Sequence, residues 1–519
     1  MLFLLFSAFV VADGAKILGF FSLPCYSHQV TFNSLSRELS LRGHQLTVIT
    51  PNPINDPTLS NLTEIDLHDA SYRVFDKYNI SRLSIMDEKD GNRMDIFMEL
   101  SYDLIRAQLS HPRVAEIIRN DAGEEFDLCL IEYIIPGPYP LIDVYKCPMI
   151  AVSSMPTMIY GHETIGNPNH PSVFPDINLP MPSILNLFQR VQSFLFWVSN
   201  RLSMNDIDFK FDSLLREFYN QSTRSVSELK LDIDLVIANA NPILNVPRPT
   251  VPNYIKLAGL HLHPPKPLPT DILELLDQSP GPVIYMSFGS TIKSDLLPSR
   301  TIRMLLDVFA ELPHKILWKF ESDNLPARPD NVQIRPWFPQ QDLLGHPKVK
   351  LFITQGGIQS LDEALFSGTP VVVIPFCGDQ FSNALRVEDV GLGRSIPFAE
   401  LTKDNLKSTI LQALNETYPH YLFYAVESTR YSRRAKELSR LVQDRPMTAL
   451  EEAVWWVEFV LRHKGADHLK SPLRRMPWYQ FFCLDVVAVL VAPPILLIVL
   501  IKMLLMMRRR RLSTKHKKD

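Results

Sequence analysis

The chain has 519 residues, a net charge of −3, 21% charged residues and 10% aromatic residues. These values suit two or three globular domains and exclude a disordered chain. The last twelve residues, Arg508 to Asp519, hold seven Lys/Arg against one acid, which leaves −9 for the rest and argues against a nucleic-acid binder. Five cysteines, Cys25, Cys129, Cys147, Cys377 and Cys483, are too scattered for a disulfide scaffold or a zinc cluster.

Leu2 to Val11 is a short apolar run, followed by Ala12 and Gly14 at signal-peptidase spacing. It reads as a cleaved signal over 1–14; the competing reading is the buried first strand of a cytosolic domain. Ala15–Phe21 predicts a buried parallel strand, Gln29–Leu41 an amphipathic helix and Gln45–Thr50 a second strand, with His28 in the loop after the first strand. This order opens a doubly wound sheet. Phe126–Tyr133, Pro148–Ser153 and Asp234–Asn239 continue it. Leu179–Leu202 is a long apolar stretch, either an amphipathic helix against substrate or membrane or a core helix. Eight prolines between Asn241 and Pro269 mark a semi-rigid connector, placed at 263–280. The alternation then restarts: strand Pro282–Ser287, turn Phe288-Gly289-Ser290, helix Leu296–Glu311, strands Lys315–Lys319, Val332–Arg335 and Leu351–Ile353, helix Ser360–Ser367, strand Pro370–Pro375. Two α/β domains, 15–262 and 281–445, face each other across a cleft.

Phe481–Met507 is long and apolar enough to span a bilayer, with Pro493-Pro494 inside it and Arg508–Arg511 directly after it. Signal and span together predict a single-pass type I protein with a lumenal body and a cytosolic tail over 508–519. Lys515 and Lys517 stand fifth and third from the end, like the dilysine retrieval signal of endoplasmic reticulum proteins. Sequons at Asn61, Asn79, Asn220 and Asn415 fit a lumenal glycoprotein.

No Walker A, G-x-G-x-x-G, zincin or G-x-S-x-G motif is present, which argues against P-loop NTPases, nicotinamide enzymes, zinc proteases and serine esterases. The chemistry concentrates between Arg335 and Gly393. A strand runs into Gly356-Gly357 and straight into a helix, so free backbone N–H groups at a helix start can hold a pyrophosphate. Trp337 follows another strand and can stack on a flat base. Glu363, one turn into the helix, can accept from a ribose diol. Asp379 and Gln380 follow a strand end and suit sugar hydroxyls, and Ser290 offers one more phosphate contact. No acidic cluster looks like a metal site.

Phe352 through Gln380 resembles, position by position, the signature of the UDP-glycosyltransferase family. Ser287-Phe-Gly-Ser290, Trp337-Phe-Pro-Gln340, His346-Pro-Lys348, Asp444-Arg-Pro-Met447 and Trp455-Trp456 with Arg462-His-Lys-Gly465 resemble it too. The resemblance implies a GT-B fold: two Rossmann-like domains, helices at 446–480 packing back on the first, and the C-terminal transmembrane helix. It implies Trp337 and Gln340 at the uracil, Glu363 at the ribose, Ser290, Gln355, Gly356, Gly357, Gln359 and Ser360 around the diphosphate, and Asp379 and Gln380 at the sugar. Gln355 and Gln359 replace the His and Asn of many members but keep hydrogen-bond donors. His28 matches the family's base, and Glu132 stands where an Asp is usual. The implied activity is inverting transfer of a sugar from a UDP-sugar to a lipophilic small molecule, without metal or cofactor. Glucose is favoured by the likeness to the insect-type branch, with glucuronate as the rival sugar and detoxification as a role. A lipid glycosyltransferase, a non-catalytic ligand-binding protein and a homo-oligomer stay open.

Overall fold

A computed structural model describes residues 14–80, 85, 93–219, 221, 223–414 and 425–515. Residues 1–13 of the expected signal over 1–14, the sequons Asn220 and Asn415, and the tail lysines 517 and 518 lie outside them.

Two parallel sheets organise the molecule. The first comprises β1 (Lys16–Phe20), β2 (Gln45–Thr50), β3 (Leu62–Asp66), β4 (Leu128–Glu132), β5 (Met149–Ser153), β6 (Leu235–Ala238) and β7 (Tyr254–Lys256), in the order β3-β2-β1-β4-β5-β6-β7. The second comprises β8 (Val283–Ser287), β9 (Lys315–Lys319), β10 (Val332–Arg335), β11 (Val349–Thr354), β12 (Val371–Val373) and β13 (Gly393–Ser395), in the order β10-β9-β8-β11-β12-β13. The central strands are continuous apolar runs because helices cover both faces. Strand order reverses between β1 and β4 and again between β8 and β11. Ligands of such sheets bind beyond the strand C-termini at that reversal.

The helix after β1 spans Tyr26–Leu41 and so begins three residues before the expected Gln29. Cys25 caps it through its backbone carbonyl, which accepts from His28 N and Gln29 N at 2.9 and 3.1 Å. His28 therefore sits on a rigid first helical turn and not in a loop. Residues 187–202 of the apolar stretch Leu179–Leu202 join the helix Leu187–Phe218, started by a capping box between Asn186 and Gln189. Its second half buries Phe211, Leu214 and Leu215 in the core, whereas Leu187, Phe188 and Leu195 are 73%, 76% and 60% exposed. Within the expected stretch Ser193 and Trp197 are buried while Leu187, Phe188 and Leu195 face outward, so it is one-sided and not a core helix; the core residues Phe211, Leu214 and Leu215 lie beyond its end.

The proline-rich connector contains the helix Thr270–Asp277, whose Ile272 and Leu276 enter the second domain's core. The helix Ala449–His463, capped by Thr448 and Glu451, returns to the first domain. Its Ala449, Ala453, Val457 and Val460 form one apolar stripe against Ile17, Leu130, Ile150 and Ile237 of the first sheet. The final helix, Leu484–Lys515, includes Pro493 and Pro494. Its segment Leu484–Arg508 is 25 residues long, its most apolar 18-residue stretch has mean hydropathy 2.8 and is not buried, and it is long and apolar enough to cross a membrane.

Candidate active site

The two sheets bring their C-terminal edges together, and the sequence-derived residues gather there. On the first sheet, His28 follows β1 and Glu132 ends β4, so the pair straddles the point of strand reversal. His28 Nδ1 lies 3.0 Å from Glu132 Oε1. The second carboxylate oxygen, Oε2, accepts the backbone N–H groups of Ser22 and Leu23 at 2.9 and 2.8 Å. Glu132 is thus fixed by the loop that leads into the His28 helix. Acceptor-only as a carboxylate, it requires Nδ1 to carry the proton, which leaves Nε2 with its lone pair. The longer Glu side chain spans the distance expected of the family's Asp. Beside it, burial and then the Glu132 charge push the Cys25 thiol up to about 12, so it stays protonated and does not compete as a nucleophile.

On the second sheet, Gly356 takes φ +89°, and a Cβ there would lie 2.6 Å from Val373 Cγ1. Only glycine allows β11 to turn so tightly into the helix Ile358–Ser367, whose N-cap is Gly357. Gln355 is buried against this turn, its Oε1 accepting from Thr354 Oγ1 at 2.9 Å and its Nε2 packed over Gly289 and Gly357. Ser290 closes the neighbouring turn after β8. Gln340 Nε2 donates to Ser360 Oγ at 3.0 Å and to Glu363 Oε2 at 2.6 Å, while Tyr285 OH donates to Gln340 Oε1 at 3.1 Å. The Gln340, Ser360 and Glu363 side chains thus form one polar cluster. Trp337 is 51% exposed and makes a T-shaped contact with Tyr26 of the first domain, ring centres 5.0 Å apart. Lys319 Nζ lies 5.7 Å from its ring centre.

Asp379 begins the helix Gln380–Val390 and accepts from Asn383 Nδ2 at 2.8 Å. Burial raises its carboxyl above the usual range, opposed by Asn383 and by the charged form of His28 across the cleft. Gln380 Oε1 accepts from the backbone of Phe376 and Cys377, leaving its amide N–H groups available. Gln359 differs from expectation. Its Nε2 donates to Ser154 O of the first domain at 2.7 Å, so it joins the domains and has one N–H fewer for a phosphate.

Sequence reasoning missed a second bridge. Asn239 Nδ2 and Asn241 Nδ2 donate to the two oxygens of Asp362 at 3.1 and 3.0 Å. Burial raises the Asp362 carboxyl to about 6 against those bonds. His261 Nε2 stands 3.6 Å from Glu363 Oε1, an ion-pair distance and not a hydrogen bond. Burial lowers the imidazole pKa, but Glu363 and Asp362 outweigh it and the net shift is upward. The partners in these contacts are about a hundred or more residues apart, which no local pattern signals. Of the two sequons among the described residues, Asn79 is an exposed left-handed helix cap. Asn61 Nδ2 instead donates to Ser40 O and His44 O at 2.8 and 2.7 Å.

The family model for UDP-glucoronosyl and UDP-glucosyl transferase matches residues 19–519. The chain belongs to the UDP-glycosyltransferase family. It is 32% identical to UDP-glucosyltransferase 2 of Dactylopius coccus, over 92% of this chain and 90% of that protein. It is 29% identical to UDP-glucuronosyltransferase 2A3 of Mus musculus, over 90% and 88%. Among solved structures, it resembles a UDP-glucosyltransferase from Polygonum tinctorium with TM-score 0.57 and 17% identity, over 87% of this chain and 99% of that one. That likeness is one of fold, and it makes the paired sheets of this UDP-glycosyltransferase a GT-B architecture.

Proposed function

We propose that this enzyme transfers glucose from UDP-glucose to a hydroxyl of a lipophilic small molecule, with inversion to a β-glycoside. The carrying observation is the His28–Glu132 pair, held at the strand reversal of the first domain and facing Asp379 of the second. His28 Nε2 takes the hydroxyl proton while the oxygen attacks the anomeric carbon. The bond from that carbon to the diphosphate oxygen breaks, and UDP leaves with the electron pair. Glu132 stabilises the imidazolium that forms. The N–H groups at the Gly356-Gly357 helix start donate to the departing diphosphate and stabilise its charge. Trp337 and Gln340 hold the uracil, Glu363 the ribose, Ser290, Gln355, Gln359 and Ser360 the diphosphate, and Asp379 and Gln380 the sugar hydroxyls. The UDP-sugar is the co-substrate, and the scheme needs no metal.

The apolar helix Leu484–Arg508 supports anchoring in a membrane. With the signal-like start and the lysine tail, it supports a type I topology in the endoplasmic reticulum with a lumenal body and a detoxifying role. Of the two sequons among the described residues, Asn79 is the accessible glycan site; one at Asn61 requires attachment before its turn folds.

Microsomes containing the full chain are offered UDP-glucose, UDP-glucuronate, UDP-galactose and UDP-N-acetylglucosamine with phenols and steroids, and products are read by mass. A hexose adduct from UDP-glucose is expected. His28→Ala should abolish it while leaving UDP affinity intact. Turnover that survives His28→Ala overturns the mechanism, and a glucuronide replaces the sugar assignment.

A further inference from the structure

A second cavity, of about 380 Å³, lies away from the cleft, between the helices Ile159–Ile165 and Leu187–Phe218 and the segment that leads into the apolar C-terminal helix. Its wall includes Asn169, Trp197, Arg201, Arg474, Trp478 and Phe482. Most cations around it are matched. Arg201 Nη1 pairs with Glu163 at 2.7 Å, Lys230 with Asp208 at 2.6 Å, Lys470 with Asp234 at 2.8 Å, and Arg475 faces Asp232 at 3.9 Å.

Arg474 is different. Its Nε and Nη2 are buried and lack a hydrogen-bond partner among the described residues. Asn169 is 4% exposed, and its Nδ2 is likewise buried without a partner. Its orientation is set from the other side, where Oδ1 accepts from Arg248 Nη1 at 3.2 Å. A buried donor without a partner forfeits its hydrogen bonds to water, and the loss is larger when the donor is charged. Both residues present donors only, so the ligand that relieves them presents acceptors and negative charge.

The other side of the cavity is aromatic. Trp197 meets Trp478 at 6.4 Å and Phe482 at 5.6 Å between ring centres. Phe482 stands two residues before Leu484, where the apolar helix starts. The uncovered face of Leu187, Phe188 and Leu195 belongs to the helix that carries Trp197. Tryptophans at this level suit the interface of a bilayer. An amphiphile with an anionic head meets both sides: its head reaches the donors, and its chains follow Phe482 and the apolar helix.

We propose that this cavity binds the phosphate headgroup of a membrane lipid through Arg474 and Asn169. The lipid source rests on the membrane anchoring proposed above, but the binding does not depend on glycosyl transfer, so the two readings fail separately. The test uses the full chain in phosphate-free non-ionic detergent, titrated with dihexanoyl phosphatidic acid, dihexanoylglycerol and sodium phosphate. Phosphatidic acid should bind, and Arg474→Gln and Asn169→Ala should each raise its Kd by about tenfold or more. UDP affinity should stay at the parent value in both, which reports an intact fold. Should Arg474→Gln lose UDP binding as well, Asn169→Ala and Arg474→Lys, which keeps the charge but not the planar fork, carry the same comparison. An unchanged Kd for phosphatidic acid in the folded variants overturns the site. So does equal binding of dihexanoylglycerol. Phosphate alone binding as tightly as phosphatidic acid overturns the lipid and assigns a soluble anion.

Discussion

Glu132 is surrounded by three donors: His28 Nδ1–H and the N–H groups of Ser22 and Leu23. This arrangement separates two substitutions that look alike on paper. Glu132→Gln introduces an NH₂ that must face one of those donors, so either a loop bond breaks or His28 moves its proton to Nε2. The second outcome removes the lone pair that accepts the substrate's proton. Transfer should therefore fall by on the order of 10²–10⁴-fold, measured as kcat, with UDP affinity held near the parent value. Glu132→Asp keeps three acceptor contacts but shortens the arm, and its kcat should fall less. Equal kcat for Glu132→Gln and the parent would remove Glu132 from the mechanism. A residue of the second domain gives a stability counterpart. Gly356→Ala must adopt φ +89° and place its Cβ 2.6 Å from Val373 Cγ1. The backbone strain alone costs roughly 1–3 kcal/mol. Thermal melts should show a lowered midpoint, and UDP binding should weaken with it.

At the level of elements, inner strands were legible in the sequence as apolar runs: β2 and β9 coincide with the expected spans, and so does the edge strand β10, although three of its four residues are only partly buried. The strands β3, β7 and β13 were not. Each is three to five residues long, and Leu62-Thr-Glu-Ile-Asp mixes polar and apolar side chains without a run to read. The start of the His28 helix was misplaced because Cys25 caps it through backbone alone, with none of the side-chain oxygen that marks a helix start. Motif spacing did locate Gln340, Ser360 and Glu363, which the fold joins into one cluster. It could not show that Gln359 turns to Ser154, nor that Asn169 and Arg474 share one cavity. Those relations come from packing between distant segments, and sequence neighbours carry no trace of them. The long helix Leu187–Phe218 joins both cases: its capped start and buried second half follow ordinary rules, while in its first half Trp197 packs on Trp478 and Phe482 and Leu187, Phe188 and Leu195 stay exposed.

Across the whole molecule, the contact between domains carries a titratable bridge. Asp362 has its carboxyl raised to about 6 by burial, against roughly 3.9 in an unfolded chain. The folded form therefore holds the proton more tightly, and stability is lost as pH rises from about 4 to about 6, by up to about 3 kcal/mol. His261 acts in the same direction at higher pH, since its raised pKa stabilises the fold below about 6.5 and that contribution is lost as pH rises through the folded value. Asp362→Asn should flatten the first part of this profile in thermal melts of the full chain between pH 4 and 7; an unchanged slope assigns it to other groups. The return of Ala449–His463 to the first sheet has a consequence for biosynthesis. The face formed by Ile17, Leu130, Ile150 and Ile237 is complete only when that helix arrives. Some two hundred residues separate the end of the first sheet from it, roughly 10–40 s of translation. During that interval the nascent chain presents an uncovered apolar sheet, so holdase chaperones have their longest opportunity there. Fragments released before residue 449 should aggregate, whereas those that include 466 should remain in solution.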